Sequence, residues 1–240
     1  MALQYVPGIG AVIYPYYDID KFVDMLLKLQ YDEEFCIAFS FNPSFLSRLM
    51  EGGFLVMAQS DFILPKIHRE RSILFFDKLH IKRSIKHVLP CYELRFDTDF
   101  DSIVNRCINI HGSGWLTPYL IHSIRALRYK PIGTARPVSF GLYRNDVLKA
   151  GEFGIIVGSV YTSYSGYYQE ANAGTVQLIL MIEYLRDYGY AFLDLGMPLD
   201  YKADLGADVV DTRTFVQLFR AARFEQPPIK PFLSSALTSA

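Results

Sequence analysis

Cysteine is scarce in this chain: Cys36, Cys91 and Cys107 are the only three in 240 residues, and they form no CxxC pair and no even framework. A disulfide-stapled scaffold is excluded, and a reducing compartment is the simplest account. Long apolar runs are also missing. None approaches the roughly 20 residues that a membrane-spanning helix needs. The opening MALQYVPGIGAV has no basic stretch ahead of a long apolar core, so no secretory signal is expected. Net charge is nearly absent too, at −1, which removes any global attraction for nucleic acid. These absences predict a soluble cytoplasmic protein. What is present is apolar: 51% of residues are hydrophobic and 15% aromatic, enough for a substantial core, and disorder is not the default. The length fits one large domain or two small ones.

The few charges are unevenly placed. Residues 66–87 carry Lys66, Arg69, Arg71, Lys78, Lys82, Arg83 and Lys86 against Glu70 and Asp77, seven basic to two acidic, a net +5, with His68, His80 and His87 in addition. The remainder is correspondingly acidic, notably from Asp194 to Asp211. A charge run is most often a solvated face. In an otherwise neutral chain this one also suits a phosphate backbone, which gives affinity without sequence reading.

Hydrophobic spacing predicts helices at 18–30, 43–50, 77–89, 100–110, 118–130, 175–188 and 215–222, with Asp18 and Asn42 as caps and Gly52-Gly53 as a stop. In 77–89 the apolar stripe is Ile81, Ile85 and Val88, and Lys82 and Lys86 lie one turn apart on another face. Extended segments are predicted at 35–39, 54–58, 72–76, 94–96, 136–144, 147–160 and 190–195, with a hairpin turn at Asn145-Asp146. PKIHRER reads as a Pro-broken loop, the stretch after 160 as a Gly- and Tyr-rich loop, and the tail from Gln226 as unstructured. The order predicts an α+β fold: a small N-terminal α/β domain over 1–79 and a GNAT-like, acyltransferase-type domain over 80–240. That second assignment is an analogy of element order, and a fold does not give a function.

One carboxylate stands out. Asp194 lies in an apolar run, between Leu193 and Leu195 and directly before Gly196. Two readings fit it: a strand-end carboxylate satisfied by nearby N–H groups, or a carboxylate used in the protein's chemistry. The element order also invites acyl-CoA chemistry. However, SYSGYYQEANAGT lacks the Gln/Arg-x-x-Gly-x-Gly/Ala spacing that cradles a diphosphate at a helix N-terminus, and its tyrosines suit stacking or apolar packing better. Trp115, the single tryptophan, reads by itself as a core aromatic. Cys107 and His111 complete no zinc set, and His111-Gly112-Ser113-Gly114 is not G-x-S-x-G, so packing and capping are expected there.

Several short elements, taken in order, carry a resemblance. They are His80-Ile81-Lys82-Arg83-Ser84, Gly114-Trp115-Leu116-Thr117, Gly158-Ser159, Asn172-Ala173-Gly174, Asp194, and Leu205-Gly206-Ala207 followed by Arg213 and Phe215. No single one is specific; the ordered set, over about 36–219, resembles the leucyl/phenylalanyl-tRNA–protein transferases. The resemblance implies transfer of a bulky apolar amino acid, Leu- or Phe-like, from aminoacyl-tRNA to the N-terminal residue of an acceptor protein, in N-degron tagging for degradation. It implies a monomer that needs no membrane, metal or other cofactor, because an aminoacyl ester is already activated. Under it, Asp194 steers and deprotonates the amine. Trp115, Gly158, Ser159, Tyr161, Tyr168, Gly196 and Met197 hold the aminoacyl group and the terminal adenosine. Lys66, His68, Arg71, Lys82, Arg83 and Lys86 follow the tRNA phosphates.

The chain departs from the family pattern in places. Gly196 stands where the family carries Gln, Ser159 stands for the Glu of Gly-Glu-Ser, Pro65-Lys66 replaces a tandem Trp, and the loop before Asn172 is longer. Two other readings stay open: an acyl-CoA-dependent N-acyltransferase of the same fold, and a non-catalytic aminoacyl-tRNA-binding protein.

Overall fold

The computed structural model describes residues 3–7 and 10–227. The expected tail from Gln226 therefore lies, from residue 228 onward, outside the described residues.

Capping and periodicity set the N-terminal elements. Strands β1 (Tyr5–Val6), β2 (Gly10–Val12) and β3 (Cys36–Ile37) form a three-stranded sheet. Helix α1 (Ile19–Lys28) starts where the Asp18 carboxylate accepts the Lys21 N–H, and it buries Phe22, Val23 and Leu26. Helix α2 (Pro43–Glu51) is capped by Asn42 through the Ser44 N–H. Strands β4 (Leu55–Gln59) and β5 (Phe62–Lys66) make an antiparallel hairpin. The expected PKIHRER loop is thus partly strand, with Pro65 opposite Val56.

A seven-stranded sheet dominates the rest. It comprises β6 (Glu70–Leu74), β7 (Glu93–Phe96), β8 (Arg136–Arg144), β9 (Val147–Val157), β10 (Val160–Tyr168), β11 (Phe192–Gly196) and β12 (Asp208–Asp211) in the order β12-β6-β11-β10-β9-β8-β7. The β8–β9 turn is the predicted Asn145-Asp146, both at positive φ as such a hairpin demands. Helices α4 (Phe100–His111) and α5 (Pro118–Tyr129) pack beside it, and α6 (Ala173–Asp187) links β10 to its parallel neighbour β11. The α+β expectation holds. The Tyr-rich stretch after 160 is strand rather than loop, since β10 pairs with β9 as far as Tyr168 and tyrosine favours such a surface.

Two other expectations are corrected. Residues 77–89 are not one helix: two single 3-10 turns flank α3 (Arg83–Lys86), only four residues long. The His80 N–H bonds to the Leu205 carbonyl and Lys78 pairs with Asp208 at 2.6 Å, so this segment is tied to the loop before β12 instead of to its own next turn. The sheet also ignores a boundary at 79/80. β6 precedes that point yet sits between β11 and β12, and one apolar cluster joins Phe22 and Phe45 to Phe153 and Phe215. The remaining elements are α7 (Asp200–Asp204) and α8 (Thr212–Ala222).

Candidate active site

The parallel pairing of β10 with β11 is short. It runs Val160–Phe192, Tyr161–Leu193 and Thr162–Asp194, and stops there. Just past that point each strand slips by one residue against its other neighbour: β10 between Ser163 and Ser165, and β11 between Asp194 and Gly196. Bulges of this kind bend a strand and re-aim its side chains. The two strands therefore part, and a cavity of about 850 Å³ opens, lined by Ser163–Tyr168 of β10, by Leu195, Gly196 and Met197, and by the first turns of α6. The bulged Tyr164 turns its hydroxyl to accept the Val56 N–H at 3.0 Å, which ties β4 to the cavity wall.

The wall is mostly apolar at its open side. Trp115, Tyr168, Met197, Leu199 and Tyr201 line it, with Tyr168 65% and Met197 50% exposed. The buried end is polar. Glu152, His68, Gln177 and Lys202 line the cavity and are all under 9% exposed. Burial, aided by Arg71 and Lys66, pushes His68 down to about 3, so its imidazole is neutral at physiological pH, and both ring nitrogens lack a hydrogen-bond partner among the described residues. Burial pushes the Glu152 carboxyl above the usual carboxylate range, against the pull of Ser163, Tyr161, Lys202 and Gln177. Burial also lowers Lys202, whose Nζ donates to the carbonyls of Leu195 at 2.6 Å and Met197 at 2.7 Å and so fastens the loop after β11.

Asp194 is fully buried and does not line the cavity. Arg71 donates to it twice, Nε to Oδ1 at 2.8 Å and Nη2 to Oδ2 at 2.5 Å; the Thr162 hydroxyl adds a bond to Oδ2 and the Gly196 N–H one to Oδ1. Burial raises this carboxyl, but Arg71, Gly196 and Thr162 outweigh it and hold the group below its usual range. Both carboxylate oxygens are thus engaged, and the pairing with Arg71 keeps the group ionised. What it does is fix the turn at Gly196, a residue at φ +72 whose Cα faces His68.

The other expected residues divide. Trp115, Tyr168, Gly196 and Met197 meet at the cavity. Tyr161 does not: it is fully buried in the core against Phe140, and its hydroxyl reaches Glu152. Gly158 and Ser159 form the β9–β10 turn, before the strands part, where Ser159 bonds to the Ala222 carbonyl and a Cβ on Gly158 would strike the Arg223 backbone. Of the basic set, Arg71 is consumed by Asp194 and buried, and His68 and Lys66 line the cavity, Lys66 paired with Glu34 at 3.0 Å. Lys82, Arg83 and Lys86 are exposed, with Lys82 paired to Asp204 at 2.6 Å. Glu152, Gln177 and Lys202 were not anticipated. Glu152 carries the same signal as Asp194, an acid in an apolar strand; nothing local marks the other two.

Comparison with known proteins agrees with the ordered elements. The model of the family described as leucyl/phenylalanyl-tRNA protein transferase matches residues 73–220, more than half of the chain. A protein of that name from Campylobacter lari is 27% identical over 184 residues, covering 73% of this chain and 84% of the relative. One from Pseudomonas putida is 26% identical over 162 residues, covering 65% and 70%. Among solved structures, FemX aligns over 91% of this chain and 85% of its own at 12% identity and a TM-score of 0.47.

Proposed function

The chain belongs to the leucyl/phenylalanyl-tRNA protein transferase family, and from it we propose that this protein moves an aminoacyl group from tRNA to the N-terminal amine of an acceptor protein, as a cytoplasmic monomer serving N-degron tagging. The observation that carries the reading is the cavity between the parted strands, with aromatic residues at its mouth and buried polar groups behind them. Its volume and apolar walls suit a bulky side chain.

The reaction asks little of the protein. A peptide α-amine has a pKa near 7.7–8.0, so a useful fraction is already the free base at neutral pH. It attacks the ester carbonyl, loses its proton as the tetrahedral centre collapses, and the ribose oxygen leaves with a proton. The chain's part is to hold both reactants in line and to stabilise the developing oxyanion. Trp115 and Tyr168 stack on the terminal adenosine, and Gly196 and Met197 border the aminoacyl group. His68, neutral and without a hydrogen-bond partner among the described residues, supplies an N–H to the carbonyl oxygen; a neutral imidazole donates without itself titrating. Asp194 serves as a positioning residue through the Gly196 turn.

The tRNA lies along Lys82, Arg83 and Lys86. This placement is supported by Ile85 of the same segment, which shares an apolar cluster with Ala173 and Val176 at the start of the cavity-lining α6. The test is incubation with separately charged, labelled tRNAs and peptides bearing different N-termini. Transfer should proceed without ATP, metal or CoA. Activity with an acyl-CoA donor alone moves the protein to the N-acyltransferases, and tight binding of charged tRNA without transfer makes it a binding protein.

A further inference from the structure

We infer that the floor of the cavity recognises a cationic side chain on the donor amino acid, a guanidinium or ammonium carried on a long aliphatic stem, with Glu152 as its counter-charge. The inference rests on the aminoacyl-transfer reading and names the substrate class within it.

Glu152 is 3% exposed and lines the cavity from β9. Among the described residues its one side-chain hydrogen bond within 3.5 Å comes from the Tyr161 hydroxyl, 3.2 Å from Oε1, while the Ser163 and Gln177 side chains nearby also favour its charged form. No Lys or Arg nitrogen of the described residues lies within the 4.0 Å of an ion pair. The neighbouring cation, Lys202, spends two of its three protons on the carbonyls of Leu195 and Met197. A buried carboxyl that faces a cavity with no ion pair of its own, its neighbouring cation being held by two carbonyls, is costly, because desolvation is only partly offset. In a pocket for a purely apolar side chain, Glu152 is the residue that fits worst. In a pocket for a cation it completes the site, and the buried charge pair is made only when the right donor is bound.

The layout assigns that cation to the donor and not to the acceptor. The exposed aromatic residues are at the mouth and Glu152 is at the buried end. An aminoacyl group tethered to an adenosine held at the mouth sends its side chain inward, past Leu178 and Leu195. The acceptor amine meets the ester carbonyl, which stays at the ribose end. Discrimination of this kind is large, since a site built for a polar group is left unpaired by an analogue that lacks it.

The experiment uses stable 3′-aminoacylamino-3′-deoxyadenosine analogues of the tRNA terminus, carrying arginyl, lysyl, leucyl or phenylalanyl groups, with calorimetry on the intact chain. Transfer from the four corresponding charged tRNAs to one fixed acceptor peptide runs in parallel. The arginyl or lysyl analogue should bind at least about tenfold tighter than the leucyl one. Glu152→Gln, which keeps the shape, should abolish that preference, and Glu152→Leu should reverse it. Tighter binding of the leucyl or phenylalanyl analogue by the native chain overturns the inference. So does equal binding of all four, or a cation requirement that follows the acceptor's first residue in place of the donor. A cationic preference in binding with no transfer from any tRNA leaves the pocket assignment standing and sinks the transferase reading instead.

Discussion

Arg71 and Asp194 meet in a two-bond ion pair between adjacent antiparallel strands, with both side chains withdrawn from solvent and the Phe215 ring 4.2 Å from the guanidinium carbon. The pair couples β6 to β11 at the point where β11 leaves β10, and the same carboxylate also accepts the Gly196 N–H. The charge expected to bind RNA and the charge expected to take a proton are thus each other's partner. Their joint product is the shape of the cavity wall.

Breaking that pair should cost stability. Asp194→Asn leaves a buried guanidinium without its counter-charge and should lower the urea unfolding free energy by about 3–5 kcal/mol. The double variant Arg71→Met/Asp194→Leu should recover much of the loss. An Asn variant of native stability whose turnover per folded molecule falls by about 10²-fold or more would return Asp194 to the role of general base.

Acid should destabilise the protein in two stages. The neutral His68, with its folded pKa near 3 against 6.5 for a free imidazole, contributes stability that is complete above 6.5 and lost as pH falls toward 3. Asp194, held below the ordinary carboxyl value of 3.8, contributes stability present above that value and lost as pH falls through its folded pKa. Unfolding free energy should therefore decline from about pH 6.5 downward. His68→Phe should flatten the curve between roughly 6.5 and 4. An unchanged curve would mean that His68 is protonated and paired in solution.

Glu152 carries the opposite sign. Its folded pKa lies above the ordinary value of 4.5, so the ligand-free protein is penalised as pH rises through the interval between the two. Glu152→Gln should melt higher than the native chain at pH 8 and show no such gain at pH 4. A variant that is less stable at pH 8 would mean that the carboxylate has a partner in the free protein.

The basic segment should contribute affinity without architecture. Neutralising Lys82, Arg83 and Lys86 together should weaken tRNA binding and flatten the slope of log affinity against log salt by about two units. Two are expected from three substitutions, since Lys82 is shared with Asp204. Stability should change by no more than about 0.5 kcal/mol, as for most surface substitutions. A slope identical to that of the native chain would reduce the segment to a solvated face.

The single tryptophan offers a direct readout. Trp115 lines the cavity, about 6.5 Å from the ring of Tyr164. Titration with a 3′-aminoacyl-adenosine analogue should quench or shift its emission, and Trp115→Phe should remove the signal and weaken binding. Emission indifferent to a bound analogue would place the adenosine elsewhere.

Local signals carried much of this protein. Asp18 and Asn42 cap helices whose apolar spacing is regular, and Asn145-Asp146 turns a hairpin because both residues tolerate positive φ. These are interactions between near neighbours in the chain, and so the residue order is enough to read them. The family resemblance was legible for a related reason, as a series of short elements in a conserved order along the chain. Everything that turned on a distant partner was not. Residues 77–89 have a helical stripe, but a hydrogen bond from His80 to Leu205 and an ion pair from Lys78 to Asp208 hold them otherwise. Arg71 and Asp194 are 123 positions apart, and only the pairing of β6 with β11 turned two separate charges into one buried pair. Whether a charged side chain meets solvent, a ligand or another charge depends on the strands beside it, and that choice belongs to the tertiary structure.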